Sequence, residues 1–204
     1  HGQPARIRAV PQSLQLAPHV SVRQKKKGKS SYRQVSYQRQ AADAAATVRK
    51  HRIDRAYLPQ MVSYTGNEKP GTIVIDTSKR FLFLVQSSGK AMRYGVGVGK
   101  QGFSWKGSQR ISRKAEWPTW TPPKEMIARE RKKGRILPAR MEGGINNPLG
   151  ARALYLGSTL YRIHGTNQPW TIGKAMSSGC IRMRNEDVTD LYERVHVGAK
   201  VVVR

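Results

Sequence analysis

The chain has 204 residues and carries 38 Lys and Arg against 12 Asp and Glu, a formal charge of +26. No run approaches the roughly 18 apolar residues that a bilayer-spanning helix needs, which argues against an integral membrane protein. A single Cys rules out an intramolecular disulfide framework and a Cys-cluster zinc site, and the length fits one domain with an extension.

Residues 1–60 read as a flexible basic N-terminal extension. Pro4, Pro11, Pro18 and Gly28 punctuate it, and Lys25-Lys26-Lys27-Gly28-Lys29 followed by Tyr32-Arg33 is its densest cationic run. The Ala-rich stretch 41–55 suits a short helix. The chain starts His1-Gly2-Gln3-Pro4. That start reads as a processed product, with no signal segment in view. The predicted domain covers 70–204. Thr72-Ile73-Val74-Ile75-Asp76, Arg80 to Gln86 and Ala91 to Val98 read as a meander of three strands. Pro118, Pro122, Pro123, Pro138 and Pro148 break the middle into loops, with one short helix over 124–132 capped by Thr121. Ala151 to Leu156 and Thr159 to His164 are two further strands. Val188, Leu191, Tyr192 and Val195 repeat at helical spacing behind Asn185 as the cap, and Gly198 leads into a terminal strand, Lys200 to Val203. The expected fold is mostly β with a few short helices.

Chemistry concentrates in one segment. It runs His164-Gly165-Thr166-Asn167-Gln168-Pro169-Trp170 and on to Ser177-Ser178-Gly179-Cys180-Ile181-Arg182-Met183. A lone Cys is most often a small buried hydrophobe. Here Ser177, Ser178 and Gly179 offer little apolar packing, and Gly179 lets the backbone turn beside the sulfur. Arg182 shares a strand face with Cys180, and a guanidinium there favours thiolate. His164 is either a polar strand end or the base that takes the thiol proton. No carboxylate stands near it in sequence, so a backbone carbonyl or a distant acid must orient the ring. The amides of Gly179 and Cys180 are the expected oxyanion donors. From the residue types alone, an acyl-transfer pair and a structural thiol both remain open.

The pattern His-Gly-Thr-Asn followed by Ser-x-Gly-Cys-Ile-Arg-Met resembles the signature of the L,D-transpeptidases with a YkuD-like catalytic domain. The resemblance extends over Gly71 to Arg204, including Tyr94-Gly95-Val96-Gly97-Val98-Gly99 and Asn146-Asn147-Pro148-Leu149-Gly150. It implies a β-sandwich-like domain and an exported enzyme of the periplasm or cell wall that acts on peptidoglycan stem peptides. It implies Cys180 as nucleophile, His164 as general acid and base, and the Gly165 carbonyl as the group that orients the imidazole. Gly179 is the implied oxyanion donor and Arg182 the cation for thiolate or substrate carboxylate. Ser178, Asn167, Trp170 and Tyr161 are the candidate substrate contacts. No metal or cofactor is implied. The implied reaction makes 3–3 cross-links from tetrapeptide stems with loss of D-Ala. The same acyl-enzyme would serve attachment of an envelope protein, or L,D-carboxypeptidase action.

Several look-alikes are weighed against plainer readings. Gly95 to Lys100 has the wrong spacing for a phosphate loop and reads as a small-residue strand that lets substrate pass close. His1, His19, His51 and His196 lack metal-ligand spacing. Glu186 and Asp187 suit a helix N-terminus. Trp117 reads as packing and Trp170 as a groove wall, while Tyr155 and Tyr161 are possible oxyanion donors. The charge also admits a different class, a nucleic-acid or anionic-surface binder, without a specific nucleic-acid module. On the transpeptidase reading, the basic extension would hold the enzyme on anionic envelope polymers.

Overall fold

The computed structural model describes residues 53–100 and 105–204. The expectations for the basic extension, and for a helix over its Ala-rich stretch up to residue 52, lie outside the described residues. Within them, Asp54 accepts a hydrogen bond from the Ala56 amide (2.9 Å) and caps a 3-10 turn, Arg55–Tyr57.

Eleven strands form around one core: β1 (Gln60–Ser63), β2 (Ile73–Asp76), β3 (Phe81–Val85), β4 (Lys90–Gly95), β5 (Val98–Gly99), β6 (Gly107–Glu116), β7 (Arg152–Leu156), β8 (Arg162–His164), β9 (Ala175–Ser177), β10 (Ile181–Arg182) and β11 (Lys200–Val203). Nine of them make one sheet in the order β1-β4-β3-β2-β11-β6-β7-β8-β10, and β5 pairs with β9 apart from it. Among the described residues two helices join them, α1 (Lys124–Arg131) and α2 (Asn185–Arg194).

β6 joins the halves of this ladder. Gly107 to Arg110 pair with β11, and from Ile111 on the strand pairs with β7, with a register shift between Ile111 and Arg113. Ile73, Ile75, Leu82 and Leu84 from one half and Leu154, Leu156, Ile163 and Ile181 from the other belong to a single buried cluster. The ladder is therefore folded over on itself, and the mostly β, sandwich-like architecture expected from the sequence is what is found. Helix α2 presses Val188 and Leu191 into the same core. Lys114, reaching across from β6, donates to the Tyr192 and Val195 carbonyls (2.6 and 2.8 Å). That places a cation at the negative end of the helix.

The structure departs from the sequence reading in several places. The middle is not all loop. β6 escapes notice because its residues are polar apart from Ile111 and Ala115, and it is held by pairing on both sides rather than by its own alternation. The third predicted strand splits at Val96, giving β4 and β5 in different sheets. The strand predicted from Thr159 is shorter, because the Thr159 amide and hydroxyl both bond the Leu156 carbonyl in a turn. Thr121 does not cap α1, whose N-cap is Pro123, and Asn185 lies inside α2, whose N-cap is Arg184. Trp117 also leaves its predicted packing role. It is 45% exposed, and its φ of 39° lies in the left-handed region beside Gly143.

Candidate active site

The site is written in the register of two short strands. β8 and β10 run parallel with Ile163 opposite Ile181 and His164 opposite Arg182. Both isoleucines are in the core. By alternation, Arg162, His164, Cys180 and Arg182 share the other face, with Cys180 one register step from His164. Residues one step apart on a sheet face lie within reach of long side chains. The pair separated by sixteen positions in sequence is thus brought onto one surface.

His164 is 5% exposed, and its Nδ1 lies 2.6 Å from the Gly165 carbonyl oxygen. A carbonyl only accepts, so Nδ1 carries the proton and Nε2 is the basic nitrogen. Burial drives the imidazolium down to about 3. The Gly165 carbonyl opposes this, while Arg182 and Arg162 add to it. At neutral pH the ring is a neutral base.

The Gly165 carbonyl is itself held in place. The Gly165 amide donates to Arg152 O (3.0 Å), and Asn185 Oδ1 accepts from the amides of Ala151 (3.0 Å) and Thr166 (3.2 Å). A Cβ on Gly165 or on Gly150 would lie 2.2 Å from that same oxygen, so the approach demands glycine at both. Asn185 was expected to cap α2; instead it fastens the loop behind the imidazole.

Cys180 is half-buried, with Sγ 3.7 Å from the Leu160 carbonyl. Gly179 takes a φ of 109°, the turn anticipated for it. Ser177 clamps this turn, donating to Cys180 O (2.6 Å) and accepting from the Gly179 amide (3.2 Å). The Gly179 amide, expected as an oxyanion donor, is therefore engaged with Ser177. The expectation that Arg182 makes the thiol acidic also needs correction. Burial raises the thiol above its ordinary value, and Arg162 first, then Arg182, pull it only part of the way back. The resting pair is thiol and neutral imidazole.

The small-residue strand, read as a path for substrate, is filled by the protein's own backbone. Gly97 exchanges two hydrogen bonds with Arg182 (2.8 Å each), and β5 lies beside β9. A Cβ on Gly97 would come within 2.9 Å of the Thr171 carbonyl. The segment buttresses the Cys180 loop.

The remaining candidates scatter. Ser178 is exposed beside the turn. Asn167 gives its amide to the Asn146 carbonyl (2.8 Å), tying the loop after His164 to the middle of the chain. Trp170 sits in a 3-10 turn, Pro169–Thr171, and is half-buried. Tyr161 stacks on Trp105 with ring centroids 5.0 Å apart. Of the acids, Asp190 accepts from the buried Tyr94 hydroxyl (2.5 Å). Asp187 is 1% exposed and pushed up to about 6 by burial against the pull of Arg184, so it is more than a helix-end charge. Among the described residues, no group of three or more His, Cys, Asp or Glu is placed to hold a metal ion, and no helix is long and apolar enough to cross a membrane. Sequence reasoning gave Ser177 and Asn185 other roles and passed over Arg162. The same two-residue spacing that links Cys180 with Arg182 also links Arg162 with His164, and would have found the last of these.

Comparison with known proteins places the segment in context. The YkuD family model, described as the L,D-transpeptidase catalytic domain, matches residues 70–203. The probable L,D-transpeptidase YbiS of Escherichia coli K12 is 36% identical over 148 residues, 71% of this chain and 47% of that protein. The probable L,D-transpeptidase ErfK/SrfK of the same strain is 35% identical over 150 residues, 72% of this chain and 47% of that protein. The chain thus spans about half the length of these curated relatives. A solved structure from Brucella melitensis, titled a probable carnitine operon oxidoreductase caia, is 56% identical, covering 76% of this chain and 98% of that one, with a TM-score of 0.49.

Proposed function

The chain belongs to the YkuD family of L,D-transpeptidase catalytic domains, and from that membership we propose that it cross-links peptidoglycan by cysteine acyl transfer on the outer side of the cytoplasmic membrane. The acyl donor is a tetrapeptide stem, the leaving group is its terminal D-Ala, and the acceptor amine belongs to a second stem, giving a 3–3 link.

The observation that carries this reading is the β8–β10 register, which gives Cys180, His164 and Arg182 one face while the Gly165 carbonyl holds Nδ1. In the proposed cycle, His164 Nε2 takes the Cys180 proton as the sulfur closes on the carbonyl of the third stem residue. The Cys180 amide donates to the developing oxyanion. The imidazolium then protonates the departing D-Ala nitrogen, leaving a thioester. The acceptor amine gives its proton to His164 Nε2 as it attacks the thioester, and Nε2 passes that proton to the departing sulfur, which restores the thiol. Arg182 stabilises the transient thiolate. A thiol held above its ordinary pKa beside a neutral base is a sound resting state for this chemistry, because proton transfer is coupled to attack and the sulfur stays unreactive between turnovers.

Intact-mass spectrometry after exposure to a carbapenem tests the first half-reaction. The expected result is one adduct, absent from Cys180→Ala. Purified tetrapeptide stems test the second. Mass spectrometry should find a dimer that has lost one D-Ala. Free tripeptide alone would replace this reading with carboxypeptidase action, and no adduct on Cys180 would overturn the acyl-enzyme itself.

A further inference from the structure

The face that carries Cys180 also carries a row of cations that the proposed cycle leaves unused. Arg113 on β6 is the register partner of Tyr155 on β7, and Tyr155 is the partner of Arg162 on β8. Extending the β8–β10 register by one residue sets Cys180 opposite Arg162. The row therefore reads Arg113, Tyr155, Arg162, Cys180 across four strands. The Arg113 guanidinium lies 3.7 Å from the Tyr155 ring centroid and the Arg162 guanidinium 5.3 Å from it. One ring holds both cations in a line that ends at the sulfur.

Arg162 has an unmet demand. Its Nε is buried without a hydrogen-bond partner. The Nε of Arg93, Arg152 and Arg184 is likewise buried without a hydrogen bond, but each of these guanidiniums has an oxygen partner. Arg93 Nη2 donates to Gln60 Oε1 (2.9 Å), while Arg152 and Arg184 pair with Glu116 and Asp187 at 3.2 Å each. Among the described residues no carboxylate pairs with Arg162 or Arg113. A guanidinium held against a ring and beside a nucleophile, with no carboxylate partner among the described residues, is arranged for an anion that arrives from outside.

We propose that Arg162, backed by Arg113 across the Tyr155 ring, forms a carboxylate subsite beside Cys180 that selects acyl donors bearing a free carboxylate next to the carbonyl under attack. The inference rests on the acyl-transfer reading of this site, and it adds the charge of the donor as what the site reads. Arg182 lies on the neighbouring row opposite His164, while Arg162, the stronger of the two in drawing the thiol down, stands where it also meets the donor's carboxylate.

The test compares iodoacetate with iodoacetamide on the full chain. In both, the Cys180 thiolate forms a carbon–sulfur bond and iodide leaves, so the rate ratio isolates the charge of the reagent. The ratio should exceed that of free cysteine at low salt and fall as salt is added. Arg162→Gln should lower it about tenfold, in line with the loss of a charge-assisted hydrogen bond. Arg113→Gln should lower it about twofold, as befits a more exposed charge, and Arg162→Lys should restore part of it. An unchanged ratio in folded Arg162→Gln overturns the subsite. Should that variant not fold, a wild-type ratio insensitive to both salt and Arg113→Gln overturns it equally. A second arm compares kcat/KM for a tetrapeptide acid and its C-terminal amide. The acid should be preferred, and the preference should shrink in Arg162→Gln; an equal preference in both proteins counts against the subsite. Alkylation needs no acyl donor. A protein that forms no acyl-enzyme therefore overturns the proposed function while leaving the ratio readable.

Discussion

The two halves of the folded ladder share one core but treat their outer faces differently. On the half built from β1, β4, β3, β2 and β11, the chain roofs its own outer face. Tyr57 packs on Phe81 and Tyr64 on Phe83, with centroids 5.4 and 5.9 Å apart. Arg93 lies 4.3 Å over the Phe81 ring, and its Nη2 donates to the Ala56 carbonyl and Gln60 Oε1. On the half built from β6, β7, β8 and β10, Arg162 and Arg113 flank Tyr155 in the same cation-and-ring arrangement, but among the described residues no carboxylate pairs with either. The same local motif is structural where Ala56 and Gln60 satisfy the guanidinium. It becomes chemical where the guanidinium is left beside a thiol. Coverage and hydrogen-bond satisfaction, more than residue type, separate a packing arginine from a working one.

The comparison can be broken most decisively at Cys180. Cys180→Ala should reduce acyl transfer by roughly a thousandfold or more, with a melting temperature close to wild type because little volume is lost. A large fall in melting temperature would make the thiol part of the scaffold, like the opposite half. Next comes His164→Gln. Acylation near pH 7 should drop about 10²- to 10⁴-fold, read by adduct formation over time; an unchanged rate would remove the imidazole from the mechanism. The same variant carries a pH signature. The folded imidazole is depressed to about 3, whereas the unfolded one titrates near its ordinary 6.5. The wild type therefore loses stability as pH falls from 6.5 toward 3, as the unfolded chain takes up a proton that the folded one refuses. The variant lacks this loss, so its melting temperature should gain on the wild type across that window.

A smaller effect is expected at Asn185. Asn185→Ala removes one acceptor from two backbone amides and should cost about 1–3 kcal/mol, measured by denaturant unfolding. The carbapenem adduct should also form more slowly, because the loop carrying the Gly165 carbonyl loosens; an unchanged acylation rate would make Asn185 purely structural. The smallest effect sharpens the contrast from the other half. Tyr94→Phe loses the hydroxyl bonded to Asp190 and should cost about 1 kcal/mol while leaving Cys180 alkylation as it was. If alkylation shifts as well, the halves are coupled and the contrast fails.

Much of this was legible in the residues, for identifiable reasons. β2, β3 and β11 announce themselves as β-branched or aromatic runs, and α2 by its helical apolar spacing, because their burial is periodic in sequence. β6 was hidden because its pairing partners, β11 and β7, come much later in the chain and support a strand with few apolar residues. Asn185 was misread for a related reason: an Asn before an apolar helical pattern is normally a cap, and only the arrival of Ala151 and Thr166 gives its oxygen another task.

The order of residues by itself determined the reactive types and their spacing: a sulfur after Gly179, an imidazole before Gly165, and a cation two places beyond the sulfur. Tertiary structure alone decided their state. Register put Cys180 and His164 on one face, burial outweighed the two arginines and kept the proton on sulfur, and the pairing of β8 with β7 and β10 set Arg162 beside that sulfur with no carboxylate partner among the described residues. Those outcomes turn on desolvation and on groups far away in the chain, and neither is a property of a local run of residues.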